Sequence, residues 1–280
     1  MDLETILRGA LPPILLTLLL VSLLGARVLP LAAGIGLFVA FVLLKQDWPA
    51  WPHELWAEPT GMEWLLWGMM ALFGVGLLER LRIVPTKLGG GIAPAVGALV
   101  LWLMLQKVSR QWESTEVALY IATGALLVVL TVAATRTTLT RSSGSITSAA
   151  LFATMLSIDA VLVTMGKSAF LGQLCGAVAA SIGTFAVTSS WRRGISLNAA
   201  DGAWVGGTHV LFVLASVHFV YLSWWAAGCA LLAPFLLLLL PATFAREKPK
   251  RWLVAAGVLV TVPLAVGLWL AWPEPNPYGY

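Results

Sequence analysis

The sequence predicts an all-α integral membrane protein, a polytopic helical bundle of about ten transmembrane helices that forms a single domain over residues 1–280. Three observations predict it. The chain is 59% hydrophobic and only 11% charged, whereas soluble domains carry about 25% charged residues, and no soluble interior hides that much apolar surface. Apolar runs long enough to cross ~30 Å of hydrocarbon at 1.5 Å per residue recur along the whole chain. Lysine and arginine also alternate in density between successive loops, as they do around membrane spans.

The first two spans, 10–24 and 28–44, come from one apolar stretch that Gly25, Ala26, Arg27 and Pro30 divide into a tight hairpin. Span three, 63–79, follows the longest loop, and span four, 89–106, opens on Gly89, Gly90, Gly91 and Pro94. Span five, 117–135, is followed by span six, 146–166, and span seven, 168–189, which share an abrupt boundary at Gly166, Lys167 and Ser168. Span eight, 203–222, follows Asn198 and Asp201, which read as its caps. Span nine, 226–244, begins after Trp224 and Trp225 and contains Pro234, and span ten is 252–272. Loops this short force neighbours to pack antiparallel.

Charge orients the bundle. The formal net charge is +4, but the basic residues are spread over short loops, so they carry topology and argue against a nucleic-acid partner. Loops after odd-numbered spans hold twelve Lys and Arg, including Arg27, Arg80, Arg82, Arg136 and Arg141, against five on the other side. This bias places both termini outside the cytoplasm and suits a multi-pass protein of a bacterial cytoplasmic (inner) membrane. Residues 1–26 also resemble a signal peptide, but Leu24 and Ala26 make a poor cleavage site, so the first span is read as retained. Cys175 and Cys229 show no metal-binding or redox spacing and read as free thiols.

Trp48, Trp51, Trp64, Trp112, Trp191, Trp204, Trp224, Trp225, Trp252 and Trp272 fall at or beyond span ends, where an indole buries its ring and wets its N–H. The loop from Gln46 to Met62, with three prolines, Trp56, Asp47, His53, Glu54 and Glu58, reads as an interfacial half-turn. Its alternative role is a lid or docking loop.

Asp159 is the one carboxylate deep inside a span. A charge at mid-bilayer costs at least ~2.5 kcal/mol on insertion scales, so it persists where it is paired, protonated or facing a wet cavity. It lies about 20 Å along span six, and His218 lies about 22 Å along span eight, which runs the same way. A carboxylate and an imidazole at matched depth can share a proton and form a coupling site. His209 is nine residues from His218 and so turned to the opposite face at about 100° per residue, which leaves one of the two to meet Asp159. The plainer alternative is that Asp159 bonds a nearby Ser, Thr or backbone group and the histidines hold helices together.

Gly172, Gly176, Ala180 and Thr184 recur every four residues on span seven, a small-residue stripe that admits a close neighbour, most simply span six with its Ala149, Ala153 and Ser157. A homodimer seam is the alternative. Pro94 and Pro234 are candidate helix breaks at corresponding places in two five-helix halves, and an odd number of spans per half would make such repeats inverted. In length and span count alone the chain is similar to the ten-helix drug/metabolite transporters, which are built from two inverted five-helix repeats. No motif accompanies that likeness, and the charge count sets the termini on the opposite side.

Zinc-protease, Walker A, nucleophile-elbow and paired-aspartate signatures are missing, so no catalytic residue, metal ligand or cofactor is assigned and an enzyme is not expected. Gly206 and Gly207, before Thr208 and His209, read as close packing. The expected function is a small-solute or metabolite permease, proton-coupled through Asp159. A non-catalytic subunit that assembles with a membrane-protein partner or a second copy is the alternative, and an enzyme acting on lipid is the third. The lipid bilayer is the partner common to all three.

Overall fold

The computed structural model describes residues 3–52, 59–106, 109–142, 146–166, 168–192, 195–241, 243 and 247–272. His53, Glu54, Trp56 and Glu58 of the long loop, and the charges at Lys107, Lys167, Arg193 and Arg246, lie outside the described residues. The chain is all helix among those residues: α1 (Leu3–Leu24), α2 (Leu29–Lys45), α3 (Gly61–Arg80), α4 (Thr86–Leu105), α5 (Ser114–Arg141), α6 (Ile146–Met165), α7 (Ala169–Trp191), α8 (Gly202–Val220), α9 (Trp224–Leu236) and α10 (Pro249–Ala271).

Nine of the ten are long and apolar enough to cross a membrane. The exception is α9, which Pro234 shortens: without its N–H the chain tightens into a 3-10 turn at Leu237–Leu239 and is extended by Leu240, at φ −79° and ψ 125°. Span nine therefore ends earlier than the apolar run to residue 244 suggests. Pro94 does not break α4, which runs unbroken from Thr86 to Leu105. Pro12, Pro13 and Pro263 are likewise inside continuous helices, where one lost ladder bond is absorbed by the neighbouring turns.

Helix ends follow local chemistry. Thr60 and Glu63 form a capping box at α3, and Ser168 and Ser223 accept from Leu171 N and Ala226 N at α7 and α9. At the far end of α3 the N–H of Ile83 bonds Leu78 O and that of Arg82 bonds Glu79 O, a Schellman closure. Arg82 occupies its left-handed position at φ 60°, where glycine is the usual residue.

The centre of the bundle is α8, every residue of which is buried except His218 and Phe219 near its C-terminal end. It packs on α3, α4, α5, α6 and α9. Glycines let these backbones approach: a Cβ on Gly206 would lie 3.2 Å from the Thr131 carbonyl, and one on Gly207 would lie 2.8 Å from Leu72. Leu15, Leu19, Leu119, Leu126, Val254 and Val258 stay exposed on α1, α5 and α10, the outer wall that a bilayer would cover.

The most extensive helix pair is α6 with α7. Its register is antiparallel: Gly172 meets Thr164 and Ala160, Gly176 meets Ala160, and Gly183 meets Ala153. Gly172 and Gly176 of the small-residue stripe thus face α6, while Ala180 and Thr184 are half-buried further along. The halves of the chain share a partial pattern. The pair α1–α2 corresponds to α6–α7 and α4–α5 to α9–α10, and α2–α7 and α3–α8 join the halves, whereas α5 on α8 and α6 on α10 have no equally extensive mirror counterparts.

Two tryptophans expected at the interface are interior. Trp252 is 2% exposed, and Trp204 is fully buried with its ring 5.2 Å from that of Phe73 and against the bare backbone of Gly76. Charge proximity to a span end suggested an anchor, but α8 starts inside the protein, so its first-turn indole is buried with it.

Candidate functional site

Asp159 is completely buried on α6, and its partner is His209, not His218: the carboxylate Oδ2 and the imidazole Nδ1 are 2.6 Å apart, both side chains at 0% exposure. The expected match in depth assumed that spans six and eight begin in one plane. In the fold α8 starts from a buried 3-10 turn, Ala199–Asp201, so its first residues are already below the end of the bundle. The two helices run the same way, since Gly166 after α6 abuts Val220 at the end of α8. Seven residues separate Asp159 from Gly166 and eleven separate His209 from Val220, so α8 is inclined to α6 and uses more residues over the same depth.

The outer atoms of the pair, Asp159 Oδ1 and His209 Nε2, have no hydrogen-bond partner among the described residues. Cys175 is also on this face of α6, its thiol 3.4 Å from Leu156 O one turn before Asp159, and it is a free, buried cysteine, while Cys229 is free and half-buried. Among the described residues the buried hydroxyls of Thr131, Thr135 and Thr138 on α5 and of Thr208 beside His209 also lack partners, as do those of Thr17 and Tyr120 elsewhere in the bundle. Thr131 and Thr135 pack on Gly206, one turn before His209, which extends the polar interior toward the far end of α5. Buried polar groups normally find partners, so this concentration of unpaired ones marks a region adapted to something other than maximal stability.

His218 is instead half-buried at the other end of α8, its ring 4.7 Å from Tyr120, 5.7 Å from Trp112 and 5.9 Å from Trp224. It belongs to an aromatic cluster at one membrane face. Pro94 and Pro234 lie away from the Asp159–His209 pair in α4 and α9, neither of which contributes to it.

The opposite end holds two ion pairs whose arginines the loop count treats only as topology charges. Arg80 Nε donates to Asp201 Oδ1 at 2.6 Å, its Nη2 to Asp201 Oδ2 and, at 3.2 Å, to Ser196 O, and its Nη1 to Ala26 O. Asp201 also accepts from Asn198 N at 2.8 Å and from the Trp204 indole at 3.0 Å, so it caps the 3-10 turn and holds α3 at once. Beside it, Arg136 donates to Glu79 Oε1 and to Thr86 O. Gly89 and Gly90 are the seat of this second pair: a Cβ on Gly89 would lie 1.8 Å from Glu79 Oε1, and one on Gly90 would lie 2.7 Å from Arg136 Nη1. The glycine run at the start of span four therefore admits an ion pair where a helix break was expected.

These pairs border a cavity of about 700 Å³, the size of a small-ligand site. Its wall combines Arg27 of the α1–α2 link, Glu79, Arg80 and Arg82 of α3 and its end, Thr86 of α4, and Asn198 of the α7–α8 link. Neither Asp159 nor His209 lines any of the four principal cavities found among the described residues. No three His, Cys, Asp or Glu side chains converge there in a metal-binding group either. In sequence the chain matches no protein-family model and no curated protein.

Proposed function

We propose that this multi-pass membrane protein is a small-solute permease in which Asp159 and His209 form a proton-coupling pair. The observation that carries this reading is the fully buried 2.6 Å contact between the two, with one further polar atom on each left unpaired. A carboxylate and an imidazole in hydrogen-bond contact can share a proton, and the open positions at Oδ1 and Nε2 are where a further polar group would reach the pair. Thr131 and Thr135 pack on Gly206 of α8, between His209 and Gly202, where Arg136 of the Glu79–Arg136 pair sits at the edge of the 700 Å³ cavity, and these polar groups support a proton route between pair and cavity. The positive-inside bias supports a cytoplasmic position for that cavity. The pair sits closed within the bundle, as the occluded stage of an alternating-access cycle requires.

The test is proton flux and solute uptake in proteoliposomes, comparing the intact protein with Asp159→Asn, His209→Gln and, as a control outside the pair, His218→Ala. Flux in the parent and in His218→Ala, lost in the two pair variants while they remain folded, is the expected result. Absence of flux over a broad solute panel would overturn the reading. One observation favours a second one, a non-catalytic subunit: none of the principal cavities reaches the pair. Its mark is stable co-purification with one membrane partner and no flux.

A further inference from the structure

The charges around the 700 Å³ cavity do not cancel, and what is left over has a particular composition. Arg80 is committed to Asp201 and two carbonyls, and Arg136 to Glu79 Oε1 and Thr86 O. Arg27 and Arg82 line the cavity, are exposed, and enter no ion pair among the described residues. Glu79 also lines it, yet its side chain is fully buried and Oε2 accepts no hydrogen bond. The wall thus offers two guanidinium groups and one buried acceptor.

A simple anion would meet both arginines and leave the Glu79 oxygen unsatisfied beside a like charge. A simple cation would satisfy Glu79 and face both arginines. A molecule carrying an anionic group and an ammonium answers all three, because a buried acceptor left unpaired costs more than a typical bond returns. The start of α4 adds to the anionic end: Thr86 is in the wall, Pro85 supplies no side-chain cap, and the positive end of a helix of 20 residues favours negative charge.

The identity of residue 82 is an independent sign. It occupies the left-handed closing position of α3, where glycine is favoured, and a charged topology signal can be placed anywhere in the turn. An arginine is kept at the one place in that turn where any side chain is disfavoured, and there it faces the cavity.

We propose that this cavity binds a small zwitterion, its anionic group held by Arg27 and Arg82 and its ammonium by Glu79 Oε2. As the substrate class of the transporter this rests on the permease reading; as a binding site it does not. The same chemistry is offered by a free amino acid and by a zwitterionic lipid headgroup.

The experiment is equilibrium binding of a radiolabelled mixture of free amino acids to the full chain in nanodiscs, with N-acetylated amino acids and inorganic phosphate as competitors. Saturable binding is expected, with the N-acetylated analogues at least about tenfold weaker. Arg27→Gln and Arg82→Gly should each weaken it by about tenfold or more, the second without loss of thermal stability, since glycine suits that backbone. In Glu79→Gln the preference over N-acetylated analogues should shrink; if that variant fails to fold, the two arginine variants decide alone. Binding in phosphatidylglycerol nanodiscs that disappears in phosphatidylethanolamine nanodiscs identifies the headgroup as the occupant. Phosphate or N-acetylated analogues binding as tightly as free amino acids, or no ligand binding in any nanodisc, would overturn the proposal. Asp159→Asn separates the two readings: it should abolish flux and leave this binding intact.

Discussion

Arg80 and Asp201 are 121 positions apart in sequence and meet in the interior through two hydrogen bonds, with side-chain exposures of 3% and 0%. Arg80 reaches two chain carbonyls as well, so a single guanidinium ties α3 to the α1–α2 link, the α7–α8 link and the start of α8. Removing one partner strands the other charge. Arg80→Ala should lower stability by about 3–5 kcal/mol, and Arg80→Met combined with Asp201→Leu should recover most of it. Thermal unfolding in detergent checks both.

The Asp159–His209 pair gives an asymmetric expectation. In Asp159→Asn the amide oxygen still accepts from the imidazole, so the loss should be about 1 kcal/mol. His209→Ala leaves a buried carboxylate alone and should cost about 3–5 kcal/mol. Equal losses in unfolding experiments would overturn the asymmetry expected of a buried carboxylate that depends on its imidazole partner.

Neighbouring glycines at the start of α4 should behave oppositely. A Cβ on Gly89 would press into Glu79 and displace the Glu79–Arg136 pair, whereas one on Gly91 meets nothing within 4 Å. Gly89→Ala should therefore destabilise by about 1–3 kcal/mol, and Gly91→Ala should stabilise by about 0.5–1 kcal/mol through helix propensity alone. Melting temperatures of the two variants, measured side by side, are the check.

The α6–α7 seam makes a similar contrast one turn apart. A Cβ on Gly172 would come within 2.8 Å of the Ala160 carbonyl, while one on Gly176 would touch only the Ala160 methyl at 3.8 Å. Gly172→Ala should open the seam at a cost of about 1–3 kcal/mol, and Gly176→Ala should be neutral or better. Protease resistance of the two proteins in micelles reports the difference.

Helix number and order were legible because lipid-facing and buried surfaces in a membrane protein are both apolar, so every span leaves an uninterrupted run. Asp159 stood out in the sequence because the run around it is almost uniformly apolar. Its partner did not, because depth counted in residues carries no information about tilt or about a helix that starts below the surface, and α8 does both. Arg80, Arg136 and Glu79 were hidden differently. Charges at span ends are expected for orientation, so nothing in the sequence distinguishes one that turns inward from one left in water. The adjacent Gly89 and Gly90 were the available clue, since a bare helix face at that level implies a bulky neighbour across it.

The placement of α8 also sets an order of events during synthesis. One member of each pair is made well before the other: Arg80 leaves the ribosome 121 residues ahead of Asp201, and Asp159 leaves 50 residues ahead of His209. At about 5–20 residues per second the aspartate waits about 3–10 s and the arginine about 6–24 s before a partner exists. Until then each is an unmatched polar group in or beside the lipid, and the seven preceding helices surround an unfilled centre. Arrival of α8 closes both pairs in one step, so nascent chains that stall after α7 should be the natural substrates of membrane quality control.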